Sequence, residues 1–179
     1  MGPENGLVGH SERTRGMAEN EIELVVMAAE TYGPWLAEAI REYANDLAAN
    51  NGLTAEAALA RSEHDFHELL PQGPATPKQH VFSILAAPEP GSAQRPIGVI
   101  WFAERENPPT TFIYDFSVEA AYRGRGYGAQ ALRAIEAKVQ ALGLKRIGLH
   151  VFGQNTGARR LYERLGYIAT NINMAKELE

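Results

Sequence analysis

Residues 118–129 read VEAAYRGRGYGA, a glycine-rich stretch that follows a predicted strand and precedes a predicted helix. Gly124, Gly126 and Gly128 have no Cβ, so the backbone can turn sharply there and bring its amides against a bulky anion. The start of the following helix adds unpaired N–H groups and the positive end of its dipole. These features predict a phosphate-binding loop. Glycine-rich turns also occur as plain connections, so the stretch alone leaves both interpretations open.

Length, charge and composition limit the class of protein. The chain has 179 residues, about one domain of typical size, and its 45% of hydrophobic residues can supply a continuous core. A formal net charge of -5 gives no positive field for a nucleic-acid backbone, so nucleic acid is not expected as a partner. The absence of cysteine excludes disulfides, thiolate metal sites and a thiol nucleophile. Because no apolar run approaches the ~20 residues of a membrane span, we expect a cytoplasmic protein without a membrane partner.

The order of predicted elements indicates an α+β protein. Residues 1–18 are expected to form a disordered leader, and residues 19–179 a single domain. Short apolar runs between turn residues predict strands, and apolar residues at helical spacing predict helices. The predicted strands are 22–27, 81–87, 96–103, 111–118, 146–152 and 167–174, and the predicted helices are about 31–49, 54–70, 126–142 and 156–165. We expect a mixed sheet in which the second, third and fourth strands form an antiparallel meander.

Spacing separates three kinds of phosphate loop. A Walker loop needs Lys and Ser or Thr after its last glycine, where this chain has Ala129 and Gln130, so that class is excluded. A dinucleotide fingerprint is nominally met by Gly124, Gly126 and Ala129. That fingerprint also needs an acidic residue at the end of the next strand, and KRIGLHVF (145–152) has none. A nicotinamide-dependent oxidoreductase is therefore disfavoured.

Two motifs together resemble those of one family. Arg123-x-x-Gly126-x-Gly128 resembles the Q/R-x-x-G-x-G/A acetyl-coenzyme A loop of the GNAT superfamily of N-acetyltransferases. NTGARRLYERLGY (155–167) resembles the second signature of that family, N-x-x-A-x-x-L-Y-x-x-x-G-F/Y, at the expected distance from the loop. The predicted order of elements is also similar to that fold, over essentially the whole chain from Ile22 onward. The blocks FIYDF and LHVF resemble a bacterial subgroup whose members are mostly named by fold.

The resemblance implies a fold, an activity and a coenzyme site. The implied fold has a mixed, mainly antiparallel sheet of six to seven strands flanked by about four helices. The implied reaction moves acetyl from acetyl-coenzyme A to a primary amine of a small molecule or peptide, by direct attack and without a metal. A coenzyme A-binding or sensing module without catalysis is the alternative. The implied coenzyme-binding residues are Phe116, Ser117, Val118, Arg123, Gly124, Arg125, Gly126, Tyr127, Gly128, Ala129, Asn155, Ala158 and Tyr162.

Amide formation requires two proton transfers. A primary alkylamine with a reference pKa of ~10.4 is protonated at pH 7 and must lose a proton, and a departing thiolate leaves more readily when protonated. The resemblance implies Tyr162 as the general acid, although its spacing alone predicts a core aromatic. Asp115, in an otherwise apolar strand, and His150, on the next predicted strand, are the candidate bases. Alternatively, each of these two residues is a hydrogen-bonded core group, or the two are partners of each other. A third alternative is that a chain of water molecules removes the proton and no dedicated base exists.

By the same resemblance, the acceptor groove lies along the first two helices, at about residues 32–70. The acidic residues there either attract an amine or form the solvated face of an amphipathic helix. The oligomeric state is open, because the apolar residues of the last predicted strand, Ile168, Ile172 and Met174, can serve a homodimer or the intramolecular core. The candidate acceptor-site residues are Trp35, Tyr43, Phe66, Glu38, Glu42 and Asp46.

Overall fold

The computed structural model describes residues 22–89, 91–174 and 176, which contain five strands and four helices. The strands are β1 (Ile22–Val26), β2 (Gln79–Ala86), β3 (Arg95–Glu106), β4 (Pro109–Val118) and β5 (Ile147–Leu149). The helices are α1 (Ala29–Asn51), α2 (Ala55–Leu69), α3 (Tyr127–Ala141) and α4 (Thr156–Arg164). The leader expected at residues 1–18 lies outside the described residues. Within the described part, no helix has both the length and the apolar character needed to cross a membrane.

Local chemistry explains where the helices begin and end. Gly52 has a φ of 64° and ends α1 in the left-handed conformation that glycine readily adopts. The side chain of Thr54 accepts a hydrogen bond from the Ala57 amide at 3.2 Å and begins α2. The side chain of Asn155 accepts one from the Ala158 amide at 3.1 Å and begins α4. The four helices predicted from the sequence are therefore confirmed, with ends that differ by a few residues.

The five strands form one sheet in the order β1-β2-β3-β4-β5. Strands β1 to β4 pair antiparallel, which confirms the predicted meander. Strand β5 pairs parallel to β4, and α3 makes the crossover between them. This parallel pairing runs from Thr111–Ile147 to Ile113–Leu149 and then ends. The far end of β4, residues 114–118, therefore has no β5 partner in the described chain, and the sheet opens there.

Helices cover both faces of the sheet. Helices α3 and α4 pack on one face through the buried residues Leu132 and Ile135 of α3 and Tyr162 of α4. Helices α1 and α2 pack on the other face, where Phe66 contacts Trp101 of β3. We call these two helix layers the α3–α4 side and the α1–α2 side. Because side chains alternate along a strand, neighbouring residues of β3 serve opposite layers.

Strand β4 contains one extra residue. Trp101 of β3 pairs with Asp115, and the next residue, Phe102, pairs with Ile113, so that Tyr114 forms a bulge. In a regular strand, Ile113 and Asp115 would share one face. With the bulge, Ile113 packs in the α3–α4 core, whereas Asp115 contacts helix α1 on the other side. The bulge therefore brings a carboxylate to the α1–α2 side at the point where the sheet opens.

The strands expected after α3 are shorter or absent in the described residues. The strand predicted at 146–152 ends at Leu149, because its partner β4 diverges beyond Ile113. The strand predicted at 167–174 is wrong: this segment forms no strand, although its tyrosine, isoleucines and threonine favour strands. The neighbouring β5 offers only three residues for pairing. In the described residues, the sheet therefore has five strands in place of the expected six to seven.

The apolar residues of that last segment do not enter the intramolecular core. Ile168, Ile172 and Met174 are 82%, 78% and 92% exposed. The alternative that they pack inside the domain is therefore wrong for these three side chains. A role in a homodimer stays a prediction.

Candidate active site

The glycine-rich stretch connects β4 to α3. It leaves β4 after Val118, passes through a short 3₁₀ turn at Ala120–Tyr122 and enters α3 at Tyr127. Gly124 and Gly126 have φ angles of 76° and 88°, which residues with a Cβ rarely adopt. Gly126 is the N-cap of α3. The amides of the first turn of α3 therefore lie next to the open end of the sheet, where they can bind an anion.

The space around this loop fits a bulky anion. A Cβ on Gly126 would have Gln130 Nε2, at 4.0 Å, as its nearest neighbour, and a Cβ on Gly124 would meet nothing within 4 Å. Gly128 has a different role, because its Cβ would lie 3.2 Å from the Leu161 side chain. Glycine at 128 thus lets α3 pack closely against α4. The Tyr127 ring is 1% exposed and anchors the loop in the core, so its predicted role at the coenzyme does not involve the ring.

Two arginines of the loop give it a cationic character. Arg123 Nε donates a hydrogen bond to the carbonyl oxygen of Val118 at 2.7 Å, which ties the loop to the end of β4. The Arg125 guanidinium lies 5.9 Å from the centre of the Tyr122 ring and 4.0 Å from a carboxylate oxygen of Glu89. Phosphate binding by this loop stays a prediction, and its two arginines are cationic groups that favour it.

In the described part of the chain, the last residues of β4 have no strand partner on the side that faces β5. Phe116, Ser117 and Val118 pair with β3 on one side and have no strand partner on the β5 side within the described residues. On the other side, β3 and β4 lie very close together at Gly98. A Cβ at that position would lie only 2.2 Å from the Ser117 carbonyl oxygen. Arg123 bonds the Val118 carbonyl oxygen and the Phe116 backbone bonds Asp115, so an extended ligand between β4 and β5 would share or displace these contacts.

Asp115 is half-buried, and the Trp35 side chain of α1 donates a hydrogen bond to it. The Trp35 Nε1–H donates to Asp115 Oδ2 at 2.8 Å. Burial raises the pKa of Asp115 above its usual value, whereas the hydrogen bonds from Trp35 and from the Phe116 backbone act in the opposite direction. The net result is a raised pKa. Such a carboxylate holds a proton more strongly than an exposed aspartate does.

Tyr162 of α4 lies within electrostatic reach of Asp115. Its side chain is 9% exposed and packs in the α3–α4 core, with the Tyr167 ring centre 5.6 Å away. Burial, and secondly the charge of Asp115, raise the pKa of Tyr162 to about 12. The phenol therefore carries its proton at neutral pH. Tyr162 and Asp115 belong to opposite faces of the sheet, and the charge of Asp115 acts on the phenol without a direct contact.

A cavity between α1 and the end of β4 has an acidic lining. Glu42 is one of its lining residues, and burial together with the charges of Asp115 and Glu38 raises the pKa of Glu42. Burial also raises the pKa of Asp46, one helical turn further along α1. A positive ligand would relieve the repulsion between these carboxylates. The cavity is lined by Trp35, Glu38, Ala39, Glu42, Asp115, Ser117, Val118, Glu119 and Arg123.

Four predicted base or acceptor-site residues lie outside the lining of this cavity, and one of them is Asp46 of α1. His150 follows the end of β5, is exposed and has its ring against Phe152 at 4.9 Å, so its expected position within a strand is wrong. Phe66 is 7% exposed in the α1–α2 core, and Tyr43 donates a hydrogen bond to Asp65 at 3.4 Å. Neither of these two aromatic residues lines the cavity described above.

Two features of the site were missed from the sequence. The hydrogen bond between Trp35 and Asp115 joins residues 80 positions apart, and no local pattern indicates it. Glu119 lines the cavity, and its place directly after Val118 of the motif was the signal that could have identified it. Within the described residues, no group of three or more histidine or acidic side chains is arranged to hold a metal ion.

Comparisons with known proteins agree on one family. Residues 38–167 match the model of the acetyltransferase (GNAT) family. The chain is 35% identical to the uncharacterized N-acetyltransferase YycN of Bacillus subtilis over 88% of its length and 99% of that protein. It is 28% identical to YdgE of the same organism, over 85% of its length and 95% of that protein.

Solved structures show the same fold. The crystal structure of YycN from Bacillus subtilis, a putative acetyltransferase, superposes with a TM-score of 0.79 at 32% identity and covers 89% of this chain and 99% of that one. The aminoglycoside N-acetyltransferase AAC(6')-Iy, solved with a bisubstrate analogue, superposes with a TM-score of 0.53 at 17% identity. That match covers 89% of this chain and 99% of the other, and it supports the fold alone.

Proposed function

This chain belongs to the acetyltransferase (GNAT) family of N-acetyltransferases that use acetyl-coenzyme A, and we propose that its acceptor is a primary amine entering through the acidic cavity between α1 and β4. One observation carries the proposal: Asp115 lines that cavity and also acts electrostatically on Tyr162. A group able to accept a proton and a group able to donate one therefore lie at the same end of the sheet as the glycine-rich loop.

We assign the coenzyme to the groove where β4 and β5 diverge. The loop at 123–129 is assigned to the pyrophosphate, which the left-handed glycines, the open space and the arginines support. The β5-facing side of residues 116–118 is assigned to the pantetheine arm, with Asn155 and Ala158 at the start of α4 completing the lining. When bound, acetyl-coenzyme A supplies an acetyl group activated as a thioester.

Asp115 is the proposed base. An alkylammonium must lose a proton before its nitrogen can attack, and a carboxylate at the cavity wall can accept that proton directly or through water. The raised pKa of Asp115 makes it a stronger base than an exposed aspartate. The exposed His150 is the second candidate, and the activities of Asp115→Asn and His150→Gln distinguish the two.

Tyr162 is the proposed acid, and Asp115 modulates its strength. While Asp115 is ionised, its charge is one of the two causes that raise the pKa of the phenol. When Asp115 takes the proton of the amine, that charge disappears and the phenol becomes a stronger acid. Tyr162 is then better able to protonate the departing thiolate. The two proton transfers are thereby coupled without direct contact between the groups.

The first test is binding, and the second is turnover. Calorimetric titration of acetyl-coenzyme A, coenzyme A and NAD into the protein is expected to show micromolar binding of the first two and none of NAD. Thiol release is then measured with monoamines, diamines and amino acids, and we expect amines without a carboxylate to be preferred. No coenzyme binding by a folded sample would contradict the site assignment. Binding without thiol release from any amine would favour a coenzyme-sensing module.

A further inference from the structure

We propose that Trp35 is a positioning residue, whose indole N–H holds the carboxylate of Asp115 ionised and oriented at the wall of the acceptor cavity. This inference rests on the proposed function, because it assigns a task to Asp115 as the base. Its starting point is the hydrogen bond of 2.8 Å from Trp35 Nε1 to Asp115 Oδ2. That bond links α1, which forms the acceptor side, to the bulged part of β4.

The Trp35 ring has aromatic neighbours that restrict its motion. Its ring centre lies 5.9 Å from that of Trp101 with the planes at 85°, and 6.4 Å from that of Phe66 with the planes at 66°. Tyr32 adds a third aromatic neighbour at 5.5 Å. Edge-to-face packing of this kind holds an aromatic ring in one orientation. The N–H group is therefore presented to Asp115 in a defined direction before any acceptor binds.

The surroundings of Asp115 make this donor important. Burial disfavours the ionised carboxylate of Asp115. Hydrogen bonds from the Trp35 side chain and from the Phe116 backbone favour the ionised form. Of these two donors, Trp35 is the one that a substitution can remove. The charged or titratable groups on the elements around Asp115 are Glu38 and Glu42 of α1, Glu119 and Arg123 of the loop, and Tyr162 of α4.

A second tryptophan provides a matched control. Trp101 belongs to the same aromatic cluster, is 1% exposed, and its Nε1–H donates to Gln79 Oε1 at 2.7 Å. Trp101 does not line the cavity. Trp101→Phe therefore removes an indole and a buried hydrogen bond as Trp35→Phe does, but it leaves the donor to Asp115 in place.

Carboxyl titration tests the inference without any turnover. The chain has three aspartates, at 46, 65 and 115, so ¹³C labelling of aspartate side chains gives three carboxyl signals, and Asp115→Asn assigns one of them. Trp35→Phe removes a bond that favours the ionised form, so the Asp115 titration midpoint is expected to move to higher pH. The other two midpoints are expected to stay in place. Trp101→Phe keeps the Trp35 N–H donor and an aromatic ring beside it, so it is expected to move the Asp115 midpoint much less than Trp35→Phe does.

The pH profile of the reaction gives a second measurement. In Trp35→Phe, the acidic limb of the kcat/KM profile for the amine is also expected to move to higher pH. In the region where Asp115 titrates, kcat/KM then falls about tenfold, the size expected for losing a hydrogen bond to a charged group. At higher pH the loss becomes smaller, and the affinity for acetyl-coenzyme A is unchanged. A loss of equal size at every pH would show a merely structural role and overturn the inference.

The outcomes for Trp35 and for the proposed function are separable. Suppose that the wild-type chain is active and that Trp35→Phe folds. If the Asp115 titration midpoint is then unchanged in the variant, the role of Trp35 is overturned and the proposed function is not. Lack of acetyl transfer by the wild-type chain to every amine would overturn the proposed function, whatever the carboxyl titration shows. If Trp35→Phe does not fold, benzothienylalanine at position 35 retains the bicyclic shape and removes the N–H, and the same shift of the midpoint is expected.

Discussion

Replacing Tyr162 by phenylalanine removes one hydroxyl group and retains the buried ring. The ring belongs to the α3–α4 core and is 9% exposed, so the packing of α4 against the sheet is expected to persist. The change therefore tests the proposed proton donor with little effect on the coenzyme loop. We expect kcat to fall by about 10²-fold or more, at unchanged affinity for acetyl-coenzyme A.

The size of the effect follows from the protonation of the phenol. With a pKa of about 12, the phenol is ionised in only about one molecule in 10⁵ at pH 7, so nearly every enzyme molecule carries the proton to be donated. General acid catalysis contributes typically about 10²- to 10⁴-fold, and a 10²-fold loss corresponds to ~2.7 kcal/mol in the barrier. The raised pKa also means that Tyr162 causes no loss of activity between pH 7 and about 10.

Tyr167 offers a matched control for this experiment. Its ring centre is 5.6 Å from that of Tyr162, and its buried hydroxyl has no hydrogen-bond partner within the described part of the chain. Tyr167→Phe removes an unsatisfied polar group, so the rate is expected to stay unchanged and the stability to stay equal or rise. The assay is continuous thiol release at saturating acetyl-coenzyme A, with calorimetry for coenzyme affinity.

Two results would refute this reasoning. An undiminished rate in folded Tyr162→Phe would remove the hydroxyl from the mechanism. The second result is a fall in wild-type activity between pH 7 and about 10 that is absent in Tyr162→Phe. It would show that the phenol titrates in this range, contrary to its raised pKa.

Three further substitutions test the loop, the cavity and the sheet. Gly126→Val is expected to abolish acetyl-coenzyme A binding in calorimetry, because its side chain would occupy the proposed pyrophosphate space; unchanged affinity in a folded variant would contradict the loop assignment. Glu42→Gln is expected to raise KM more for a diamine than for a monoamine, and equal effects would exclude a role in attracting charge. Gly98→Ala is expected to lower stability in urea by about 1–3 kcal/mol, because its Cβ would lie 2.2 Å from the Ser117 carbonyl oxygen. Gly148→Ala, whose Cβ would lie 3.4 Å from Phe112, is the control, and an equal loss there would rule out this contact as the cause.

The parts of the molecule that were predictable from the sequence depend on local chemistry. Gly52, Thr54 and Asn155 stop or begin helices through their own backbone conformation or side-chain hydrogen bonds, so single positions are informative. The glycine-rich loop is likewise contained in one short stretch. The family was recognisable for the same reason, because its two motifs lie in continuous segments.

The parts that were not predictable depend on pairing between distant residues. FIYDFSV (112–118) has the composition of a regular strand, and the bulge at Tyr114 becomes visible only against its partner β3. The last predicted strand did not form, because strand formation requires a neighbour and β5 is three residues long. The contact between Trp35 and Asp115 depends on both the bulge and the position of α1.

The bulge in β4 also has a consequence for how this chain can evolve. Because of the extra residue, Tyr114 and Asp115 both serve the α1–α2 side, whereas Ile113 and Phe116 serve the α3–α4 side. Mutations at Tyr114 alter the layer behind the proposed acceptor cavity, whereas Asp115 is held by its proposed role as the base and Ile113 and Phe116 keep the α3–α4 packing. Acceptor preference can therefore drift between descendants of this sequence without loss of the coenzyme site. Lineages that share the bulge would be expected to diverge first in what they acetylate.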